Sequence, residues 1–165
     1  VKSDSLAVDV GAHCGLWSKE LVRFFKRVEA FEPLPRHAEC FRENVPEATL
    51  HEVALGDGDG TTGMHLVEGS SACSWLEGEG TIPVRRLDDY DLSPSFLKVD
   101  CEGYELFVLR GGEETIKRSK PVIIVEQKPG NAGKYYVGDT EAVIYLVSLG
   151  ATLQDEIDGD YILSW

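Results

Sequence analysis

The chain is 165 residues long and 42% hydrophobic, enough for one domain with a sizeable core, and no linker or low-complexity tract divides residues 1–165. Its 29 acidic and 16 basic residues leave a net charge of −13, which argues against a nucleic-acid or anionic-membrane partner. No run approaches the roughly 18–20 apolar residues of a membrane span. There is no signal-peptide pattern, and the four cysteines lack C-x-x-C spacing, so they read as reduced thiols of a cytoplasmic protein.

Leu6-Ala7-Val8-Asp9-Val10 is a short, almost unbroken apolar run, as expected of a parallel strand covered on both faces. After Gly11-Ala12-His13-Cys14-Gly15 the period changes, and Trp17, Leu21, Phe24 and Phe25 recur at the spacing of one helix face. A strand, a glycine turn and a helix make the first βα unit of a nucleotide-binding sheet. A dinucleotide fingerprint would have glycine where this chain has His13, because that position lets the backbone close on a pyrophosphate. The pattern D-x-G-x-x-x-G suits a ligand without phosphates, such as S-adenosylmethionine (SAM).

Val28 to Phe31 is predicted as the second strand, and Glu32 follows it 23 residues after Asp9, placed to accept both ribose hydroxyls of a nucleoside. Pro33 and Pro35 then start a helix with Leu34, Ala38 and Phe41 inward and Asn44 as its stop. Leu50 to Leu55 reads as strand three. Thr61–Val67 and Thr81–Leu87 read as a hairpin inserted after it, whose loop around Gly69-Ser70-Ser71-Ala72-Cys73-Ser74-Trp75 is a candidate lid. Phe96 to Asp100 is a central strand followed by a helix through Leu106, Leu109 and Ile116, and Pro121 to Glu126 is another strand. A helix capped at Asp139 or Thr140 and stopped at Gly150 precedes a closing hairpin, Ala151–Leu153 with Tyr161–Ser164, turning at Asp158-Gly159.

Asp9, Glu32, Asp57, Asp100 and Glu126 all fall at or just beyond the carboxyl ends of predicted parallel strands, where the ligand crevice of an open α/β sheet lies. Five acids around one crevice require positive charge among them, which a sulfonium with an ammonium, or a divalent metal, would supply.

Val8-Asp9-Val10-Gly11-Ala12, Glu29-Ala30-Phe31-Glu32-Pro33, Val53-Ala54-Leu55-Gly56-Asp57 and above all the block from Leu97 through Asp100-Cys101-Glu102-Gly103-Tyr104-Glu105 to Gly112 resemble the FkbM-type SAM-dependent methyltransferases. The resemblance implies an α/β, Rossmann-like class I methyltransferase fold, a mostly parallel seven-stranded sheet with an antiparallel last strand and helices on both faces. It also implies O-methylation of a hydroxyl on a small molecule or sugar. Carried onto this chain, Asp9, Gly11 and Gly15 would hold the methionine tail of SAM, Glu32 the ribose and Asp57 the adenine edge, with Ala12, His13 and Pro33 beside the cofactor. The chain departs from the family by having His13 and Cys14 in the glycine turn, where asparagine is usual.

A hydroxyl acceptor must lose its proton, and Asp100 is the first candidate base, Glu102 the second and His13 a third. No Ser-His-Asp or Cys-His order and no zinc spacing stands out, whereas Asp100, Glu102 and Glu126 could hold Mg²⁺ as in catechol-type methyltransferases. Two other classes compete: a non-catalytic SAM- or nucleotide-binding module, and an NAD-dependent oxidoreductase, which the missing glycine disfavours.

Overall fold

A computed structural model describes residues 3–67 and 74–165. Of the loop predicted at 69–75, only Ser74 and Trp75 are therefore described, and the lid reading falls mostly outside these residues. The elements in order are β1 (Ser3–Val10), α1 (Leu16–Phe24), β2 (Phe25–Phe31), α2 (Pro35–Asn44), β3 (Thr49–His51), β4 (Ala54–Leu55), β5 (Gly60–Thr62), β6 (Met64–His65), β7 (Trp75–Leu76) and β8 (Ile82–Arg85). They continue with β9 (Phe96–Val99), α3 (Glu105–Gly111), α4 (Glu113–Ser119), β10 (Val122–Glu126), α5 (Glu141–Ser148), β11 (Thr152–Ile157) and β12 (Asp160–Ser164).

Seven strands form the main sheet in the order β11-β12-β10-β9-β1-β2-β3. β3, β2, β1, β9 and β10 are parallel, and β12 runs antiparallel to both neighbours, as expected. Along β1 the side chains alternate. Leu6, Val8 and Val10 join the core under α3, α4 and α5, whereas Ala7 packs with Leu21 of α1 and Val28. Asp9 therefore points to the α1 side, where Ser18 meets it. Leu97, Val99, Ile123 and Val125 are fully buried, so truncating any of them to alanine would cost about 2–5 kcal/mol.

Five details differ from expectation. Helix α1 stops at Phe24 and the chain enters β2 at once, so Phe25 is a strand residue. The buried residues of this helix are Ser18 and Leu21, while Trp17 and Phe24 are exposed, because the inward stripe must carry the hydroxyl that Asp9 needs. The predicted third strand splits: His51 still pairs with Phe31, but Ala54-Leu55 leaves to pair with β8 in a small sheet with β5. The inserted hairpin is present as the antiparallel β5–β8 and β6–β7 pairings rather than two long strands. The helix after β9 breaks at Gly112, where a Cβ would lie 2.9 Å from the Leu87 side chain.

Helix α5 has no capping bond from its own Thr140. Its first N–H groups are met instead by Gln127, just past β10, whose Oε1 accepts from Ala142 N at 3.0 Å and Val143 N at 3.4 Å. No helix of the described residues is long and apolar enough to cross a membrane.

Candidate active site

A cavity of about 350 Å³ opens at the carboxyl ends of β1, β2, β9 and β10, within the range of small-molecule sites. Its floor is Gly11, Ala12 and His13. Glu32, Pro33, Leu34 and His37 form one wall, Lys98, Asp100, Cys101, Glu102 and Tyr104 the opposite one, and Met64, Ser74, Trp75 and Leu76 of the inserted hairpin a third side.

The glycine turn is shaped by close approach. Gly11 has φ +73°, and a Cβ on it would lie 1.8 Å from the carbonyl oxygen of Asp100, so any side chain there would push the β1 and β9 ends apart. Gly15 has φ +90° and begins α1 against Val45 and Phe41. It shapes the turn from behind and does not line the cavity.

At the end of β2, Glu32 is buried and heavily bonded. Its Oε2 accepts from the His13 N–H at 2.9 Å, its Oε1 from the Leu34 N–H at 2.9 Å, and His37 Nδ1 lies 3.3 Å from Oε1. Burial lowers the pKa of His37, its contact with Glu32 acts against that, and its Nε2 has no hydrogen-bond partner among the described residues. The His13 and His37 rings meet edge to face, 4.1 Å between centroids.

Asp9 lies beneath the floor, fully buried, accepting from Ser18 Oγ at 2.7 Å. Directly opposite it in the β1–β9 register is Lys98, a residue that sequence reasoning missed. The Lys98 ammonium lies 3.3 Å from Asp9 Oδ1 and 3.5 Å from Asp100 Oδ2 and donates to the Gly11 carbonyl at 3.0 Å. Burial works against its charge, but Asp9 and Asp100 outweigh it and raise its pKa. A lysine between Leu97 and Val99 in a central strand was the available signal, since a buried ammonium requires carboxylate partners.

Asp100, Glu102 and Glu126 converge, each with a carboxylate oxygen within 4.8 Å of the others. The positive charge among them comes from the chain itself: Lys98 beside Asp100, and Lys128 bonded to Glu126. Glu102 sits at φ +54°, bonded by Asn131 Nδ2 at 3.0 Å, and burial followed by the nearby Asp100 raises its pKa. Glu105, also buried, shapes this turn by accepting the Cys101 and Gly103 N–H groups at 2.9 Å each. Asp57 is exposed and does not line the cavity, because the chain turns off at Gly56 after β4, leaving Val53, Ala54 and Leu55 at the wall. Of the residues singled out from sequence, Gly11, Ala12, His13, Glu32, Pro33, Asp100, Glu102 and Glu126 thus share the cavity, and Asp9, Gly15 and Asp57 do not line it.

The inserted hairpin is tied to the same wall. Tyr135 donates its hydroxyl to the Leu76 carbonyl at 3.0 Å, and Lys134 lies 4.3 Å over the Trp75 ring while donating to the Glu102 carbonyl at 3.1 Å.

The profile of the methyltransferase FkbM domain matches residues 9–151. A similar fold is seen in the methyltransferase FkbM of Methylobacillus flagellatus KT, at 22% identity and TM-score 0.64 over 99% of this chain and 44% of that one. The chain thus spans less than half the length of that relative. The precorrin-6y C5,15-methyltransferase of Geobacter metallireducens GS-15 aligns at 15% identity and TM-score 0.59, covering 100% of this chain and 81% of the other. The N-methyltransferase NodS of Bradyrhizobium japonicum WM9, in complex with S-adenosylhomocysteine, aligns at 11% identity and TM-score 0.54, covering 97% and 76%. No curated protein sequence matches the chain.

Proposed function

The chain belongs to the methyltransferase FkbM domain family, and from that premise we propose that it is a SAM-dependent methyltransferase acting on a hydroxyl of a small molecule or sugar, with Asp100 as the base. The observation that carries this reading is the placing of Glu32 and Asp100 on opposite walls of one cavity, with the Gly11–His13 turn between them. Their strands β2 and β9 flank β1, which sets them roughly 10 Å apart across the sheet. That span suits a nucleoside whose ribose is held at one end and whose reactive centre lies at the other.

The residues fit the cofactor. Glu32 lines one wall of the cavity and Gly11 its floor. Bound SAM supplies an electrophilic methyl on a sulfonium. The protein must then hold an acceptor oxygen about 3–3.5 Å from that carbon, and positioning of this kind supplies roughly 7–11 kcal/mol. Asp100 orients the hydroxyl and takes its proton, an effect typically worth 10²–10⁴-fold. Trp17, Met64, Trp75 and Leu76 form an apolar border on which the rest of the acceptor can rest.

Calorimetry with SAM, S-adenosylhomocysteine and NAD on the purified chain tests the cofactor. Heat is expected from the first two and far weaker binding of NAD; tight NAD binding with no heat from SAM would overturn the proposal. A screen of sugars, polyketides and phenols with labelled SAM then tests the acceptor, and activity abolished by chelation would move the mechanism to a metal held by Asp100, Glu102 and Glu126.

A further inference from the structure

We propose that His37 is the second acceptor of the cofactor's ribose diol, so that Glu32 receives one hydroxyl and the bare Nε2 of His37 the other. This rests on the reading of the chain as a SAM-binding enzyme.

The placement begins with the Pro33–Pro35 break. Pro35 opens α2 and His37 stands in its first turn, where helix side chains lean back toward the N-terminus. That lean brings the imidazole to the end of β2, with Nδ1 3.3 Å from Glu32 Oε1. The two side chains are only 6% and 7% exposed, and both residues line the same wall of the cavity. The ring of His13, from the cavity floor, packs edge to face against that of His37.

Glu32 cannot receive both hydroxyls by itself. A carboxylate offers about four lone-pair sites. Oε1 accepts from the Leu34 N–H and from His37, which uses both of its sites, and Oε2 accepts from the His13 N–H. One site is left, on Oε2. A vicinal diol brings two neighbouring donors, so a second acceptor is required beside this carboxylate, and Pro33 and Leu34 of the same wall carry no polar side chain.

His37 supplies it. A carboxylate only accepts, so the ring nitrogen facing Glu32 carries the hydrogen, and burial, which lowers the His37 pKa, favours the neutral ring. Nε2 then holds a bare lone pair, buried and without a hydrogen-bond partner among the described residues. An unpaired buried acceptor is destabilising, and a ligand hydroxyl relieves it.

Binding to the whole chain tests this without knowing the methyl acceptor. The calorimetric probes are S-adenosylhomocysteine and its 2′-deoxy and 3′-deoxy analogues. The variant is His37→Asn, whose carboxamide can still donate to Glu32 but has no counterpart of Nε2. S-adenosylhomocysteine should bind this variant roughly tenfold more weakly, the loss of one buried hydrogen bond. The analogue lacking the hydroxyl that His37 receives should bind both proteins alike. A purely structural role would weaken all three ligands together, and that result, or no change in any of them, overturns the proposal. On the native chain, nitrogen-15 NMR of the imidazole, assigned by its loss in His37→Asn, should show hydrogen on Nδ1 and a bare Nε2 whose resonance moves on adding S-adenosylhomocysteine. Hydrogen on Nε2, or a resonance that stays still while the ligand binds, overturns it as well. If S-adenosylhomocysteine does not bind the native chain at all, the cofactor reading falls and this role of His37 falls with it.

Discussion

At the end of β2, Glu32 is gripped by two backbone N–H groups and an imidazole, whereas at the ends of β9 and β10 three carboxylates face one another with two lysines between them. Both places use the same residue type at the same point of the fold. The first surrounds charge with donors and gives a fixed acceptor, suited to recognising hydroxyls. The second buries carboxylates beside one another, and burial first, then the neighbouring Asp100, raises proton affinity at Glu102 and Glu126. In the proposed function, one end holds the ligand and the other moves the proton.

The largest effect should come from breaking the reactive end. Asp100→Asn keeps the shape and removes the basicity, so turnover should fall by roughly 10²–10⁴-fold while SAM affinity, measured by calorimetry, changes little. Equal turnover would mean that the second end is not reactive at all.

Next is the ammonium that serves both the core and the site. Lys98→Met leaves Asp9 fully buried with Ser18 as its hydrogen-bond donor, and breaking a buried ion pair from one side costs about 3–5 kcal/mol. The denaturation midpoint should drop accordingly. A change under about 1 kcal/mol, the range of an exposed ion pair, would show that Lys98 is not needed to neutralise Asp9.

The smallest of the three sharpens the contrast itself. Glu32→Ala should weaken S-adenosylhomocysteine binding by about 1.5–3 kcal/mol for each charge-assisted bond lost, and Glu102→Ala by much less. Equal losses would place the ribose away from Glu32.

The holding end was the more legible of the two in the sequence. The glycine turn and the Pro33–Pro35 break are marked by spacing within a few residues, although what excludes a side chain at Gly11 and Gly15 comes from Asp100, Val45 and Phe41 on other elements. The closing hairpin at Asp158-Gly159 was also readable, because alternation and turn chemistry are local. Asp57 was not, since its position depends on Ala54-Leu55 pairing with β8, some thirty residues away in the chain. Nor was Lys98, whose role exists only once β9 is set against β1. Trp17 and Phe24 misled for a related reason: a helical period identifies a stripe, but what α1 buries was decided by Asp9 on another element.

The clamp of Gln127 on Ala142 and Val143 ties together the two ends of the segment 128–140. That segment carries Asn131, Lys134 and Tyr135, which touch Glu102 and the inserted hairpin. It is thus a loop whose anchorage does not depend on its own length, and doubling that length would cost only about 0.6 kcal/mol in closure entropy. Insertions there can re-contour the acceptor side of the cavity while β10 and its terminal carboxylate stay where they are, which makes this the natural place to graft a new acceptor preference onto the scaffold.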